Sequence, residues 1–239
     1  MSHIISLLNS VDENMRIYRF MEAEHLAEWL VTGKTRLNNP ETWPDPFEKF
    51  TRENFFPKTK PINYENGKVF ALCFSRDGIS DALWKIYSPS KNSLRISTTI
   101  GALREELALS QELMEGQTFI GKVKYTSGLD IRNKVEKITL RKNASTKSIA
   151  LALMEKRKPF KFEEEIRVIS FFSKTKKSNK AYLKFSIDPH KVIDTILMDP
   201  RIPKHQEKMY FDYFSSVCKF KNSISKSTIY EKVGKFRNK

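Results

Sequence analysis

The segment FKFEEEIRVISFF, residues 160–172, contains a strand that is apolar on both of its faces. Side chains alternate across a pleated strand, so Ile166 and Val168 lie on one face while Ile169 and Phe171 lie on the other. An apolar side chain on either face favours burial on both sides. The sequence therefore predicts a buried strand here, and a fold that contains a sheet.

Three carboxylates, Glu163, Glu164 and Glu165, stand at the start of this buried strand, and Arg167 follows two places later. Glu163, Glu165 and Arg167 share one face because they are two residues apart. One interpretation is a charge-assisted pair of Glu165 with Arg167 that orients the strand end. The other is a functional Glu-x-Glu, in which a carboxylate stabilises a developing cation or anchors a sugar hydroxyl.

The remaining patterns predict an α+β fold with no internal repeat. Strands are predicted at 15–20, 68–75, 92–101, 119–127, 181–187 and 192–199. Helices are predicted at 1–14, 22–33, 81–88, 102–113, 145–158 and 204–217. The three prolines of 38–50 predict irregular structure, 128–142 has no clear pattern, and KTKKSNK (174–180) is interpreted as a hairpin loop. We expect one domain, 1–218, followed by a basic tail, 219–239.

The charge balance indicates a polyanionic partner, because 43 basic residues against 28 acidic ones give a net charge of +15. Nucleic acid is the leading candidate, and a basic protein without such a partner is the alternative. Two distant cysteines, Cys73 and Cys218, exclude a disulfide framework and a cysteine zinc site. The absence of a signal peptide and of a long apolar run predicts a cytoplasmic protein without membrane contact.

Aromatic residues interleaved with cations favour single-stranded nucleic acid, since bases stack on rings while cations meet phosphates. The segment KFTRENFFPKTK (49–60) has this pattern, and the lysines of the predicted hairpin add to it. A loop docked by its Phe residues is the equal alternative. The predicted nucleic-acid contacts are Lys49, Arg52, Phe55, Phe56, Lys174, Lys176 and Lys177.

Three further segments place polar side chains where the local sequence fixes their backbone or surrounds them with apolar residues. Arg19 lies within an apolar strand next to Tyr18, so it needs an anion, either a carboxylate of the protein or a ligand phosphate. Pro44 and Pro46 fix the backbone on both sides of Asp45, which is either a local cap or a rigidly placed functional group. LRISTT (94–99) ends a strand in three hydroxyl residues, which cap the next helix or line a cleft.

The ordered motifs resemble a widespread bacterial domain family of unknown function. They are Tyr18-Arg19, Pro40, Trp43, DPFE (45–48), CFS (73–75), Trp84, Tyr87, Tyr125 and FEEEIR (162–167). The match covers roughly residues 16–200. The chain departs from that family at RISTT, where a glycine and apolar residues are usual, and at Pro44, where Asn is frequent.

More remotely, the order of these elements and motif residues along the chain is similar to that of nucleic-acid-modifying ADP-ribosyltransferase toxins of the DarT-like and CmdT-like kinds. This resemblance implies a mixed, mostly antiparallel central sheet flanked by helices, NAD as a substrate, no metal, and a possible antitoxin partner. It implies that the late Glu165 stabilises the oxocarbenium ion, with Glu163 as the second acid. The NAD-binding residues it implies are Tyr18, Arg19, Trp84, Tyr87, Ser97 and Thr98.

The leading hypothesis is an NAD-dependent ADP-ribosyltransferase that modifies nucleic acid, with RNA favoured over DNA, as a toxin or phage-defence effector. A non-catalytic nucleic-acid-binding module, in which the glutamates are structural, is the second hypothesis. A metal-dependent nuclease that uses Asp45, Glu48, Glu163 and Glu165 is the third. Nearby Arg19 and Arg167 would oppose a cation there, which places the nuclease last.

Overall fold

A computed structural model describes residues 3–55, 68–140, 144–172 and 181–231. The helices are α1 (Ala23–Thr32), α2 (Pro46–Phe55), α3 (Asp81–Tyr87), α4 (Ile100–Leu109), α5 (Gly128–Thr139), α6 (Thr146–Leu153), α7 (Pro189–Val192) and α8 (Lys204–Asp212). Short 3-10 helices span Pro40–Thr42, Gln111–Leu113 and Lys158–Glu163, and a π-helical turn spans Tyr213–Val217.

Twelve strands form two sheets in the described ranges. They are β1 (Ile5–Leu8), β2 (Arg16–Met21), β3 (Lys34–Asn38), β4 (Lys68–Ser75), β5 (Leu94–Thr99), β6 (Gln117–Lys122), β7 (Lys124–Thr126), β8 (Glu155–Arg157), β9 (Glu165–Phe172), β10 (Tyr182–Ser186), β11 (Thr195–Met198) and β12 (Ser223–Lys226). The large sheet has the order β1-β6-β9-β4-β2-β5-β11-β12, and β7 pairs with β8 separately.

The large sheet is mixed and mostly antiparallel, because only the pairs β1–β6 and β11–β12 run parallel. It forks at β4. Tyr18 of β2 pairs with Ser75 of β4, whereas Asn38 of β3 pairs with Ala71 four residues earlier. The outer strand β10 pairs with β3. At this fork, β2 and β3 both pair with β4, and the candidate site lies next to the fork.

Strand β9 is buried along its whole length, as its apolar side chains on both faces predict. Ile166 and Val168 belong to a core that includes α1 and α4, while Ile169 and Phe171 belong to a second core that includes α5 and α6. β9 lies between β4 and β6 and is antiparallel to both. Two apolar faces thus arise because helices cover both sides of the sheet.

Several predicted elements are wrong. The N-terminal segment contains β1, which pairs with β6, instead of a helix. Residues 46–55 form α2 although their prolines predict irregular structure; Pro46 starts the helix, a position where proline is tolerated. β10 pairs with β3 and not with β9, so these strands do not form the predicted hairpin.

The region 128–142, which has no clear pattern in the sequence, contains α5, with a capping box of Ser127 and Asp130. Residues 223–226 of the basic C-terminal stretch form β12 and pair with β11. No helix in the described ranges is both long enough and apolar enough to cross a bilayer.

Candidate active site

A cavity of about 550 Å³ lies against the second half of β4 and the first residues of β9. Its walls come from β2, the start of α2, the end of α3, β8 and the 3-10 helix Lys158–Glu163. The lining includes Tyr18, Arg19, Phe20, Trp43, Asp45, Glu48, Cys73, Ser75, Tyr87, Lys156, Phe160, Phe162, Glu163, Glu165 and Arg167. A cavity of this size accommodates a ligand of cofactor dimensions.

Strand pairing brings β2 and β9 together across β4. Tyr18 pairs with Ser75, and Ser75 pairs with Glu165, so the three residues form one row. Strands lie about 4.8 Å apart, which separates the first and last of the row by about 10 Å. The Ser75 hydroxyl also donates to the Glu163 carbonyl at 2.7 Å, which ties the turn before β9 to β4.

Arg19 has no carboxylate partner within the described part of the chain. Its Nη1 donates to the Cys73 carbonyl oxygen at 3.1 Å, and its guanidinium lies 5.9 Å from the centre of the Phe74 ring. Its Nε is buried without a hydrogen-bond partner. Burial lowers the pKa of Arg19 to about 10. The predicted alternative of an ion pair with the strand glutamates is therefore not formed, and the guanidinium remains available to an anion.

Glu165 forms the predicted pair with Arg167. Arg167 donates from Nε to Glu165 Oε1 at 3.0 Å and from Nη2 to Oε2 at 2.8 Å, and Glu165 is 7% exposed. Burial raises the pKa of Glu165, but the Arg167 charge outweighs it and, with Lys156, lowers that pKa to about 2. The backbone N–H of Glu165 donates to the Tyr125 hydroxyl at 2.8 Å. Glu165 is thus a fixed, fully ionised carboxylate.

Arg167 anchors this carboxylate to the surrounding elements. It is 1% exposed, and it also donates to Glu48 of α2 and to the Leu153 carbonyl oxygen. Its guanidinium lies 4.1 Å from the centre of the Trp43 ring. Arg167 therefore joins β9, α2 and the end of α6 in one hydrogen-bonded network.

Glu163 has a different environment, although it lines the same cavity. Lys156 Nζ lies 2.5 Å from Glu163 Oε2 and 3.3 Å from Glu165 Oε2. Burial raises the pKa of Glu163, and Lys156 offsets only part of that rise. Glu164 is exposed and adopts the left-handed conformation, φ 42°, which turns the chain into β9.

The DPFE segment supplies structure as well as charge. Asp45 Oδ1 accepts from the Phe47 N–H at 3.0 Å at the start of α2, which is the capping role the sequence offered. Asp45 also pairs with Arg157 at 2.8 Å. Glu48 is 5% exposed and faces Arg167.

The four carboxylates of the nuclease hypothesis each face a cation. Asp45 pairs with an arginine of β8, and the other three, Glu48, Glu163 and Glu165, face Arg167 or Lys156. Within the described ranges, no group of three or more His, Cys, Asp or Glu side chains has the arrangement of a metal site. These carboxylates are arranged for ion pairing with the neighbouring Lys and Arg side chains.

Of the residues that the resemblance assigns to NAD, Tyr18, Arg19 and Tyr87 line the cavity. Trp84 does not, because it is 1% exposed and packs edge-on under Phe20, with 4.8 Å between the ring centres. Tyr87 stacks on the same Phe20 at 5.8 Å and remains 43% exposed. The cavity wall thus contains Tyr87, with Trp84 as its support.

Ser97 and Thr98 also lie outside the cavity lining. They are 1% and 0% exposed in β5, which is separated from β4 by β2. The Ser97 hydroxyl forms a 2.7 Å hydrogen bond with that of Thr195 in β11. Thr99 provides the N-cap of α4, the helix-capping role that the sequence offered.

The predicted nucleic-acid segment is only partly on the surface. Lys49 is exposed, but Arg52 is 6% exposed and pairs with Glu41 at 2.8 Å. Phe55 is 3% exposed and belongs to the second core. Arg52 and Phe55 therefore do not have the exposure that phosphate contact or base stacking requires. Phe56, Lys174, Lys176 and Lys177 lie outside the described residues.

Sequence reasoning misses one residue of the site, Lys156, and the contact made by another, Tyr125. Lys156 lies within EKRK (155–158), and a run of charged residues does not show which side chain is buried. In addition, the predicted helix 145–158 covers the residues that form the strand β8. Tyr125 is part of the motif set, but its contact with the Glu165 backbone depends on the pairing of β7 with β8.

Solved structures of DarT from Thermus sp. 2.9 are similar to this chain. The complex with NAD+ has a TM-score of 0.42 and 11% identity, and the match covers 91% of this chain and 98% of that chain. The complex with ADP-ribosylated ssDNA has a TM-score of 0.42 and 10% identity, with coverages of 92% and 97%. The complex with carba-NAD+ has a TM-score of 0.40 and 14% identity, with coverages of 90% and 97%. No protein-family model and no curated protein matches the chain.

Proposed function

We propose that this chain is an NAD-consuming ADP-ribosyltransferase that modifies nucleic acid. The observation that carries the proposal is the division of charge within one cavity. On the β2 side, Arg19 is a cation that pairs with no carboxylate among the described residues. On the β9 side, the three carboxylates Glu48, Glu163 and Glu165 face the two cations Lys156 and Arg167, which leaves one negative charge in excess.

NAD has the complementary distribution of charge. Its pyrophosphate is anionic and needs a cation, and a guanidinium with free N–H groups binds phosphate oxygens in two directions. Its ribosyl carbon becomes cationic as nicotinamide leaves, and a fixed carboxylate stabilises that charge. Arg19 is assigned to the pyrophosphate and Glu165 to the ribosyl cation, with the Tyr87 ring in the wall beside them.

Glu165 suits this role because it does not move or lose its charge. Arg167 and Lys156 hold both carboxylate oxygens, so no reorganisation is needed when positive charge develops nearby. Its pKa of about 2 keeps it ionised throughout the neutral range. The ion pair that the sequence suggested as a purely structural alternative is in this view the device that orients the carboxylate.

Nucleic acid is proposed as the acceptor from the net charge of +15. The distinction between RNA and DNA and the toxin or phage-defence role remain predictions from the resemblance.

The test uses NAD labelled in its adenylate phosphate. The purified chain is incubated with this NAD and with single-stranded RNA, single-stranded DNA or duplex, and acid-insoluble label is counted after protease treatment. We expect label in a nucleic acid from the wild type and little from Glu165→Gln. No consumption of NAD with any nucleic acid would contradict the proposal and favour the binding module. Strand cleavage that requires a divalent cation and no NAD would favour the nuclease.

A further inference from the structure

Lys156 is a buried ammonium in the cavity wall, at 8% exposure. It is the middle residue of β8, and its two neighbours have other partners: Glu155 pairs with Lys134, and Arg157 pairs with Asp45. Alternation along the short strand therefore directs Lys156 alone towards the Glu-x-Glu.

The ammonium contacts both carboxylates of that motif. Its Nζ lies 2.5 Å from Glu163 Oε2, 3.3 Å from Glu165 Oε2 and 5.0 Å from the centre of the Phe160 ring. An ammonium has three N–H groups, so it can serve two carboxylates and an aromatic face at once. Burial lowers the pKa of Lys156, but the carboxylates outweigh it and raise that pKa, so the side chain stays charged.

The two carboxylates depend on Lys156 to different degrees. Glu165 keeps two N–H donors from Arg167 even without it. Glu163 has Lys156 as its only cation within ion-pair distance in the described part of the chain. Two carboxylates that share a site repel each other, so removing Lys156 would make Glu163 the one that takes up a proton.

Resting on the function proposed above, we propose that Lys156 is a positioning residue: it holds Glu163 ionised and aimed into the cavity, where Glu163 accepts the proton of the attacking nucleic-acid group. Glu165, fixed by Arg167, stays an anion beside the ribose. Two carboxylates whose surroundings differ in this way commonly divide the roles of base and electrostatic stabiliser.

The atoms balance in this step. A nitrogen or oxygen of the acceptor forms a bond to the ribosyl carbon, and the bond from that carbon to the nicotinamide nitrogen breaks. The leaving nitrogen takes the electron pair and becomes neutral. The proton of the acceptor goes to a Glu163 oxygen and then to solvent, so no further reactant is needed.

Several titratable and charged groups surround Glu163, and each belongs to an element packed around the cavity. They are Lys156 of β8, Glu165 and Arg167 of β9, Tyr87 of α3 and Tyr125 of β7, and Glu48 of α2 acts on Lys156 behind them. Burial raises the pKa of both tyrosines, so they remain neutral in the range where Glu163 titrates. The acid limb of the rate is therefore assigned to Glu163.

The test compares Lys156→Met, which removes the charge and keeps most of the volume, with Lys156→Arg, which restores the charge. Exposed Lys158→Met on the same segment is the matched control. In Lys156→Met, the acid limb of ADP-ribose transfer should move up by about 1 to 3 pH units, the size of change that loss of one adjacent opposite charge causes. Affinity for NAD should change by less than about threefold, and Lys156→Arg should return the limb towards the wild-type position. A uniform loss of turnover with an unmoved limb, or no rescue by Lys156→Arg, would overturn the proposal.

Two further measurements separate this inference from the proposed function. Carboxyl 13C NMR of Glu163, recorded without NAD, should show its pKa rising in Lys156→Met; an unmoved pKa overturns the role of Lys156. If Lys156→Met does not fold, the double variant Lys156→Met/Glu163→Gln removes the ion pair as a whole. It should show residual ADP-ribose transfer without an acid limb in its pH profile. An acid limb that persists in the double variant would overturn the assignment of that limb to Glu163. A wild-type chain that never consumes NAD refutes the proposed function, and the NMR titration then decides the role of Lys156 alone.

Discussion

Replacing Arg19 by Met should stabilise the free protein and weaken its affinity for NAD. Arg19 has no carboxylate partner in the described ranges, and its Nε is buried without a hydrogen bond. Because burial lowers the pKa of Arg19 in the folded state, the folded chain holds this proton less tightly than the unfolded chain does. The charged side chain therefore destabilises the fold at every pH below about 10. Met removes the charge and keeps the apolar stem.

The size of the effect follows from the same numbers. A fall of the Arg19 pKa to about 10 corresponds to about 3 kcal/mol at 1.4 kcal/mol per pH unit. The substitution also loses the hydrogen bond to the Cys73 carbonyl oxygen, worth about 1 kcal/mol. The free energy of unfolding should therefore rise by about 2 kcal/mol. Loss of a charged hydrogen bond to phosphate costs about 1.5–3 kcal/mol, so NAD should bind roughly 10- to 100-fold more weakly.

Urea denaturation at pH 7 with and without NAD measures both effects, and titration calorimetry gives the affinity directly. At about 100 times its Kd, NAD should add about 2.7 kcal/mol to the wild type. It should add far less to Arg19→Met at the same concentration. Arg36→Met is the matched control, since Arg36 pairs with Glu28 at 3.2 Å and stacks on Tyr182 outside the cavity. A loss of stability in Arg19→Met with unchanged NAD affinity would refute the reasoning.

Three further outcomes test the roles assigned to buried polar side chains in and around the site. Arg167→Met should lower the free energy of unfolding by about 3–5 kcal/mol, since it takes the Arg167 partner from buried Glu48 and leaves Glu165 with Lys156 alone; a urea titration that shows a loss below 1 kcal/mol would contradict this. Ser97→Ala should cost about 0.5–1.5 kcal/mol by losing its bond to Thr195, and calorimetry should find NAD affinity unchanged. Because the folded-state pKa of Glu165 is lowered to about 2, the contribution of this carboxylate to stability is complete above about pH 5 and is lost as the pH falls towards 2. The stability of Glu165→Gln, followed by acid unfolding, should lack that part of the pH dependence. An acid transition identical to that of the wild type would contradict this.

Local pattern predicts the central strands well. The apolar segments at 68–75 and 165–172 form β4 and β9, and their alternation correctly divides the side chains between two cores. The register across these strands then brings the start of β9 next to β2, which local pattern alone does not specify. β1 and β12 are short and depend on long-range parallel pairing, so their own residues do not identify them.

The residues of the candidate site also divide into those that local motifs identify and those whose position depends on tertiary structure. The ordered motifs led to Arg19, Glu163 and Glu165, which line one cavity. Ser97 lies outside the cavity lining because its place depends on strand order: β2 lies between β5 and β4, which keeps the end of β5 away from the cavity. Trp84 also lies outside the lining, because helical spacing does not tell which of two rings on one face of α3 is buried; Trp84 is the buried ring and packs against Phe20.

The most direct test of the central claim, that Glu165 stabilises the ribosyl cation, is the rate of nicotinamide release. It is compared between the wild type and Glu165→Gln with saturating NAD and nucleic acid. The variant keeps the shape and removes the charge, so turnover should fall by on the order of a hundredfold or more while NAD affinity stays within a few fold. Glu48→Gln is the matched control, because it takes a carboxylate from the same Arg167 and should lose stability with a far smaller loss of turnover. Full turnover in Glu165→Gln would show that this carboxylate only pairs with Arg167, and a wild type that releases no nicotinamide would contradict the transferase itself.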